Sequence, residues 1–339
     1  MPSRVTFTGR WTRSITVSGA RSYRNQRNRQ MLKHLSVQLF HYVRTQLGMT
    51  GEQEIQAMHV NDRIVIAAND EATLTAFYND LAQKAQDYVR EQQQFDIDLA
   101  NQQVTDDDAP EHPLRSILTE PQATDQRTSE HAEKLRGVFD YNRIFQTETD
   151  TEALDTLRNI AWTDQFVERI DANNAADCKL KLTNLAYIHK ILVLKGVPAL
   201  HAEQKLIVAL WRSGVKSPVA IQGKKRPCAA CDASLSFARE KLRLKISFNP
   251  NPGGYWATSN VGLQMIVNLG IDAGLLTKKQ AEKWVNAHYK HQNLYQTRLL
   301  STTRHRTRLK TKKYKHTNKA NIAHETGNAS DSDSELDDL

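Results

Sequence analysis

The chain is poor in cysteine and contains no long apolar run. Three cysteines in 339 residues are too few for a disulfide-stabilised scaffold. No run of about eighteen apolar residues occurs, so no segment is expected to span a membrane. The first residues also lack the basic-then-apolar pattern of a secretory signal peptide. These absences exclude disulfide-rich secreted proteins and integral membrane proteins, and they favour a cytoplasmic protein.

Acidic residues are missing from long stretches near both ends of the chain. Residues 1–51 carry nine Lys or Arg, residues 304–319 carry eight, and neither stretch contains Asp or Glu. The net charge of +8 therefore comes from the ends. Inside the chain, residues 190–245 hold twelve Lys or Arg against three acids. Such basic stretches are typical of contact with a polyanion such as nucleic acid.

Composition and apolar periodicity divide the chain into five parts. They are a basic flexible arm (1–28), an opening helix and hairpin (29–70), a mainly helical insertion (71–195), a motif-bearing core (196–298) and a basic, then acidic tail without fixed structure (299–339). The arm is also similar in composition to a mitochondrial transit peptide. Within the insertion, residues 96–133 hold ten acids and two bases, which predicts a linker.

A hairpin and two helices are the clearest local predictions in the first third of the chain. The opening helix is expected from Gln30 to Leu47, where Gly48 ends the apolar repeat. The turn dipeptide Asn61-Asp62 lies between two β-prone segments and predicts a hairpin over residues 54–68. A Leu-, Ala- and Gln-rich helix is expected over residues 74–94.

The strongest motif combines His201-Ala202-Glu203 with Pro227-Cys228-Ala229-Ala230-Cys231. Two thiolates and one imidazole provide three zinc ligands and leave a fourth position open, as in catalytic zinc sites. The carboxylate of Glu203 need not bind the metal, and it can take and return protons beside it. One helix starting at His201 and another starting at Pro227 would bring these side chains to one point, with the thiolates at a helix N-terminus.

The two halves of this motif differ in specificity. His-x-Glu arises easily by chance, and His131-Ala132-Glu133 repeats the same tripeptide beside the acidic segment. We interpret that copy as a decoy. Pro-Cys-x-x-Cys is rare in a chain with three cysteines and nine prolines. The alternatives for the cysteine pair are a redox motif and a structural zinc knuckle with a fourth ligand such as His189.

The paired motif resembles the H-x-E…P-C-x-x-C pattern of the zinc-dependent cytidine deaminase-like superfamily. The residues in and around this motif are most similar to those of the deaminase domains of bacterial polymorphic toxins. The similar stretches are Leu200-His-Ala-Glu-Gln-Lys-Leu, Gly223-Lys-Lys-Arg-Pro-Cys-Ala-Ala-Cys and Asn251-Pro-Gly-Gly-Tyr-Trp256. The resemblance therefore covers residues 200–256.

The resemblance implies an α/β fold, namely a three-layer α/β/α cytidine deaminase-like fold with a mixed sheet. In this mapping the opening helix and hairpin begin the fold, Ser217–Gln222 and Lys245–Asn249 are later strands, and the long, mainly helical insertion lies between. In the rival mapping, residues 1–150 form a separate domain and the deaminase begins near Glu152.

The resemblance also implies roles for single residues. His201, Cys228 and Cys231 would be the zinc ligands and Glu203 the proton shuttle, in an enzyme that hydrolyses the C–N bond of a cyclic amidine at C4 of cytosine or C6 of adenine. The predicted substrate contacts are Asn69, Ala202, Lys224, Lys225, Arg226, Tyr255 and Trp256.

The expected substrate is a base in single-stranded DNA or RNA, most simply cytosine, because a stacked duplex hides the reacting atom. Resemblance to toxin deaminases implies an effector that acts in the cytoplasm of a cell into which it is delivered, with an immunity protein as partner and no membrane partner. The alternatives are a deaminase of free nucleosides or nucleotides and a non-enzymatic, zinc-stabilised nucleic-acid-binding module.

Overall fold

A computed structural model describes residues 19–120, 126–139, 152–250 and 260–289. Helices and strands alternate through most of this part of the chain. In chain order they are α1 Gly19–Thr45, β1 Ile55–Val60, β2 Arg63–Ala68, α2 Glu71–Ala100, α3 Pro113–Thr119, α4 Gln126–Phe139, α5 Glu152–Ile160, β3 Val167–Asp171, α6 Ala175–Thr183, β4 Lys190–Lys195, α7 Ala202–Ser213, β5 Val219–Gly223, α8 Ala229–Glu240, β6 Ile246–Ser247, α9 Asn260–Asp272 and α10 over residues 278–289.

The six strands form one mixed sheet in the order β3-β4-β2-β1-β5-β6. Strand β1 is antiparallel to both of its neighbours, β2 and β5. The pairs β2–β4, β3–β4 and β5–β6 are parallel. All strands except β1 therefore point the same way, and their carboxyl ends lie along one edge of the sheet.

The predicted hairpin is confirmed and forms the centre of the sheet. Asn61 and Asp62 have φ values of 46° and 57°. Two successive positive φ values are typical of a type I′ turn, which matches the twist of the flanking strands. The turn sets the register, in which Val60 faces Arg63 and Ile55 faces Ala68.

Helices cover both faces of the sheet, which confirms the predicted three-layer α/β/α architecture. Alternate strand residues such as Met58 and Val65 pack with α6, α7, α8, α9 and α10 in one apolar core. Their neighbours Ala57 and Ile64 pack with α1, α2, α3 and α5 in the other. Both cores are needed because successive side chains of a strand point to opposite faces.

The first helix is longer than the sequence predicts. It begins at Gly19 instead of Gln30, so the last ten residues assigned to the basic arm, 19–28, are helical. Asn28 is buried, and its side chain accepts a hydrogen bond from the backbone N–H of Ala153 at 3.2 Å. This distant contact stabilises a polar turn of helix that local periodicity does not reveal. Residues 1–18 of the arm lie outside the described residues.

The expectation of a mainly helical insertion over residues 71–195 is incomplete, because two strands of the sheet come from it. Strand β4 pairs with β2 through Ile64–Ile191 and Ile66–Val193, and β3 pairs with β4. The apolar run of β4 is buried on both faces, as in a parallel strand, and such a run has no distinctive periodicity. Because one sheet contains the hairpin and the later strands, the rival mapping with a separate domain over residues 1–150 is wrong.

The acidic segment 96–133 is also more structured than its composition predicts. Helix α2 extends into it as far as Ala100, and α3 follows with Pro113 in its first turn. The imidazole of His112 caps α3 by accepting a hydrogen bond from the N–H of Leu114 at 3.2 Å. Leu114 and Leu118 are fully buried, so a few apolar residues anchor a segment in which most of the described acids are exposed.

The later strands are close to their predicted places. Strand β5 is Val219–Gly223, against the predicted Ser217–Gln222, and β6 is the short Ile246–Ser247 within the predicted Lys245–Asn249. None of the described helices is both long enough and apolar enough to cross a membrane. The tail 299–339 lies outside the described residues.

Replacing Leu118 by alanine tests whether the acidic segment is part of the core. Leu118→Ala is expected to lower the free energy of unfolding by about 2–5 kcal/mol, because it removes a fully buried side chain. Ile97→Ala is the control, since Ile97 is 55% exposed on the adjoining helix and is expected to cost about 0.5 kcal/mol or less. Urea denaturation measures both, and equal values would contradict the packing of α3.

Candidate metal centre

The site lies at the edge of the sheet where the parallel strands end. Helix α7 follows the carboxyl end of β4, and α8 follows the carboxyl end of β5. The N-termini of both helices therefore meet at this edge, as is general for ligand sites in open α/β sheets. His201 is the N-cap residue of α7 and Cys228 is the N-cap residue of α8.

His201, Cys228 and Cys231 are brought together as the motif predicts. The Nδ1 atom of His201 lies 3.9 Å from the Sγ of Cys228 and 3.6 Å from the Sγ of Cys231. The three ligand atoms all lie within 4.8 Å of one another, so the group is close enough to hold a metal ion. For tetrahedral zinc, with Zn–S of about 2.3 Å and Zn–N of about 2.0 Å, sulfur and nitrogen lie about 3.5 Å apart. The observed separations fit such an ion.

Helix α8 begins two residues later than predicted, at Ala229 instead of Pro227. As the N-cap residue, Cys228 accepts a hydrogen bond at its Sγ from the backbone N–H of Cys231 at 3.4 Å. Both sulfurs therefore lie at the positive end of a helix, which stabilises thiolates. Burial, then a hydrogen bond with Cys228 and the charge of Glu203, raise the pKa of Cys231 well above its usual value. A bound cation would oppose that shift, because it favours the thiolate form.

Glu203 lies within the same buried region as the three ligands. Its side chain is 4% exposed, and its Oε1 accepts a hydrogen bond from the Nε2 of Gln56 at 3.3 Å. Burial, and then the negative charge of Cys228, raise the pKa of Glu203 to about 7. The carboxyl group can therefore hold or release a proton close to neutral pH.

Asn69, predicted as a substrate contact, lies directly beside the start of α7. Its Oδ1 accepts a hydrogen bond at 2.9 Å from the backbone N–H of Ala202, another predicted contact. The acceptor of Asn69 and the donor of Ala202 thus already bind each other. In this arrangement Asn69 attaches the end of β2 to the residue that follows His201.

Two further buried charges hold this end of β2. The carboxylate of Glu52 accepts hydrogen bonds from the backbone N–H groups of Glu54, Asn69 and Asp70 at 3.0–3.2 Å. The Nζ of Lys205 on α7 donates to the carbonyl oxygen of Asn69 at 3.1 Å. The position of His201 at the sheet edge is therefore set by contacts from both the hairpin and α7.

The three basic residues before Pro227 have different surroundings. The ammonium group of Lys224 lies over the ring of Phe40 on α1, 3.9 Å from its centroid. Lys225 is exposed, and Arg226 is partly buried. Of the three predicted phosphate contacts, Lys225 presents its charge most openly to solvent. The predicted contacts Tyr255 and Trp256 lie outside the described residues.

The sequence reasoning missed Glu54 and Gln56, which lie next to Glu203. The Oε1 of Glu54 accepts hydrogen bonds from the Nε2 of Gln56 and from the backbone N–H of Lys225, both at 3.1 Å. Burial, and then the charge of Glu203, raise the pKa of Glu54 to about 8. A signal was available, because Glu54 and Gln56 alternate with the apolar Ile55 and Ala57 where β1 begins.

The competing histidines lie elsewhere in the fold. The Nδ1 of His131 on α4 lies 2.6 Å from the Nδ1 of His34 on α1, away from the cysteines. The N–H of His189 donates to the carbonyl oxygen of Asp62 in the hairpin turn at 2.7 Å, and the turn is at the opposite edge of the sheet. His189 therefore cannot complete a four-ligand knuckle. Within the described part of the chain, His201, Cys228 and Cys231 are the one group of three such ligands found.

Metal analysis of two histidine variants tests the assignment of the ligands. His201→Ala is expected to lose the bound zinc, because two thiolates alone hold the ion much more weakly. His131→Ala, which alters the same tripeptide on α4, is expected to keep one zinc ion per chain. The measurement is elemental analysis after dialysis of zinc-loaded protein. Loss of zinc from the His131 variant with retention in the His201 variant would reverse the assignment.

Comparisons with known proteins do not place this geometry in a family. The chain matches no family model, no curated protein and no solved structure.

Proposed function

We propose that the protein is a zinc-dependent hydrolytic deaminase that acts on a base in single-stranded nucleic acid, with cytosine as the simplest substrate. The observation that carries this proposal is the convergence of His201, Cys228 and Cys231 beside the buried carboxyl group of Glu203. The motif resemblance to the cytidine deaminase-like superfamily points to the same reaction.

The donor set supports zinc as the metal. Two thiolates and one imidazole suit zinc better than magnesium or calcium, which prefer oxygen ligands. A structural zinc site normally has four protein ligands, whereas three leave one position open. When bound, the ion would supply Lewis acidity and an activated water as the nucleophile.

Glu203 supplies the proton transfers that deamination requires. Hydrolysis adds water to the amino-bearing ring carbon and releases ammonia. One proton must therefore reach the ring nitrogen and a second proton must reach the departing amine, and a single carboxyl group can deliver both in turn. A carboxyl group whose pKa is raised to about 7 gives up and regains a proton readily at neutral pH. Its burial also keeps bulk water from competing for these protons.

The charge around the site favours a polyanionic substrate over a free nucleoside. Lys225 is exposed only three residues before Cys228, and Arg226 is next to it. Lysine and arginine beside a base pocket contact the phosphates that flank the target nucleotide. The toxin role and the immunity protein follow from the motif resemblance alone and stay predictions.

Replacing Glu203 by glutamine tests the reaction. Zinc-loaded Glu203→Gln is expected to lose activity by about 10²- to 10⁴-fold, because the amide cannot transfer the proton although its shape is nearly the same. Conversion of cytosine to uracil in single-stranded DNA and RNA oligonucleotides is measured by sequencing. Glu133→Gln is the matched control, since Glu133 belongs to the other His-Ala-Glu copy, and it is expected to keep full activity.

Two outcomes of that experiment would contradict the proposal. Full activity of Glu203→Gln would remove the proton shuttle from the mechanism. If zinc-loaded wild type converts no base in any oligonucleotide, the proposal fails, and a deaminase of free nucleotides or a non-enzymatic zinc-binding module becomes the better interpretation.

Substituting Lys225 tests the polyanionic substrate. Lys225→Ala is expected to weaken oligonucleotide binding for all sequences and to reduce the slope of log K against log salt by about 1, because one phosphate contact is lost. The control is Lys216→Ala, which removes an exposed lysine before β5, at the opposite edge of the sheet. Fluorescence anisotropy at several salt concentrations measures both, and equal slopes would argue against contact at Lys225.

A further inference from the structure

A continuous line of buried side chains runs from the loop before Cys228 to Glu203. The Nε2 of Gln56 donates to the Oε1 of Glu54 at 3.1 Å and to the Oε1 of Glu203 at 3.3 Å. A primary amide has two N–H groups, and both are used here. The amide of Gln56 therefore has one orientation that satisfies both carboxyl groups.

The end of this line at Glu54 is itself held in place. Its Oε1 also accepts the backbone N–H of Lys225, so the strand residue is tied to the loop that leads to Cys228. Its Oε2 is buried and has no hydrogen-bond partner. Both hydrogen bonds therefore reach the same carboxyl oxygen of Glu54, its Oε1, and this fixes how Glu54 accepts the amide of Gln56.

The backbone of β5 packs closely against the pair. Gln56 is 2% exposed and faces Gly223 across the β1–β5 pairing. A Cβ atom at Gly223 would overlap the amide of Gln56 and the carboxyl group of Glu54. Glycine is therefore required at this position for a steric reason, although its φ is ordinary.

A glutamate carboxyl group needs such support if it is to move protons along a fixed direction. The last side-chain torsion of glutamate has a broad minimum, so packing alone does not fix the plane of the carboxyl group. A misplacement of about 1 Å in a catalytic group can cost about 10²-fold in rate. The hydrogen bond from Gln56 fixes one oxygen of Glu203 and with it the plane of the carboxyl group.

We propose that Gln56 is a positioning residue that orients the carboxyl group of Glu203, and that Glu54 holds Gln56 in the required orientation. This inference rests on the proposed deamination. Gln56 is neither a zinc ligand nor part of the basic loop, so its replacement acts on the chemical step and is expected to leave substrate binding unchanged, whereas Glu54 also holds the backbone of Lys225.

Kinetics of Gln56→Met test the proposal. Methionine has a similar volume and no amide, so zinc-loaded Gln56→Met is expected to lose about tenfold or more in kcat on a single-stranded oligonucleotide, with KM and zinc content unchanged. His59→Met is the matched control. His59 is a buried residue of the same strand, bonded to Thr156 at 2.9 Å on the other face of the sheet, and its variant is expected to keep kcat.

Two variants of Glu54 separate positioning from packing. Glu54→Gln keeps a side-chain oxygen that can accept from both Gln56 and Lys225, so kcat is expected to stay within about twofold of wild type. Glu54→Leu removes the acceptor, and its kcat is expected to fall as far as that of Gln56→Met. Equal loss in both Glu54 variants would overturn the role given to Glu54.

A measurement without catalysis separates this inference from the proposed function. A double-mutant cycle of Gln56→Met and Glu203→Met, in which each change removes one partner of the hydrogen bond, is expected to show non-additive changes when read by urea unfolding of the metal-free protein. Additive changes would overturn the contact, and a higher KM at constant kcat would overturn the positioning role. If wild type converts no base, the proposed function fails, while the cycle still decides whether Gln56 holds Glu203.

Discussion

The site depends on the parallel direction of β2, β4 and β5. Parallel strands place their carboxyl ends on one edge of a sheet, and here that edge is where the hairpin ends and where α7 and α8 begin. The antiparallel β1 starts at the same edge, which brings Glu54 and Gln56 to the helices. Without this topology, two N-cap residues 27 positions apart, His201 and Cys228, could not share one ion.

Buried polar contacts then fix the distances that topology leaves open. Glu52 binds four backbone N–H groups, Asn69 binds the first N–H of α7, and Lys205 binds the carbonyl oxygen of Asn69. Buried polar groups are stabilising only when their hydrogen bonds are made, so each contact strongly favours one arrangement. Apolar residues at these positions could pack equally well, but they would not fix the start of α7 relative to the end of β2.

Local sequence patterns predicted those features whose cause is local. The hairpin follows from Asn61-Asp62, whose positive φ values suit the turn, and the metal group follows from the rarity of Pro-Cys-x-x-Cys. Strand β4 could not be distinguished from a helix, because an apolar run buried on both faces has no distinctive period. The early start of α1 was missed because its support, the contact of Asn28 with the N-terminus of α5, is distant in the chain.

The residues around Glu203 show the same limit in the site itself. Asn69 is a predicted substrate contact by resemblance and that role stays a prediction, but the sequence did not show that its Oδ1 binds the backbone N–H of Ala202 and so connects two neighbouring elements. Glu54 and Gln56 were missed because their proximity to Glu203 depends on the register between β1 and β5. A single sequence shows which residue types are present, but register and crossover connections decide which of them meet.

The electrostatics of the site explain why a metal ion and a fixed carboxyl group belong together. Two cysteines and two carboxyl groups lie in one buried region, and burial disfavours the charged forms of Cys231, Glu54 and Glu203, whose pKa values are raised. A cation held by the sulfurs and His201 would favour their ionised form, while the burial of Glu203 would still favour its protonated form. The proton on Glu203 is useful only if it points toward the substrate. The amide of Gln56 suits this role, because it fixes the orientation of the Glu203 carboxyl group by a hydrogen bond and adds no charge to the site.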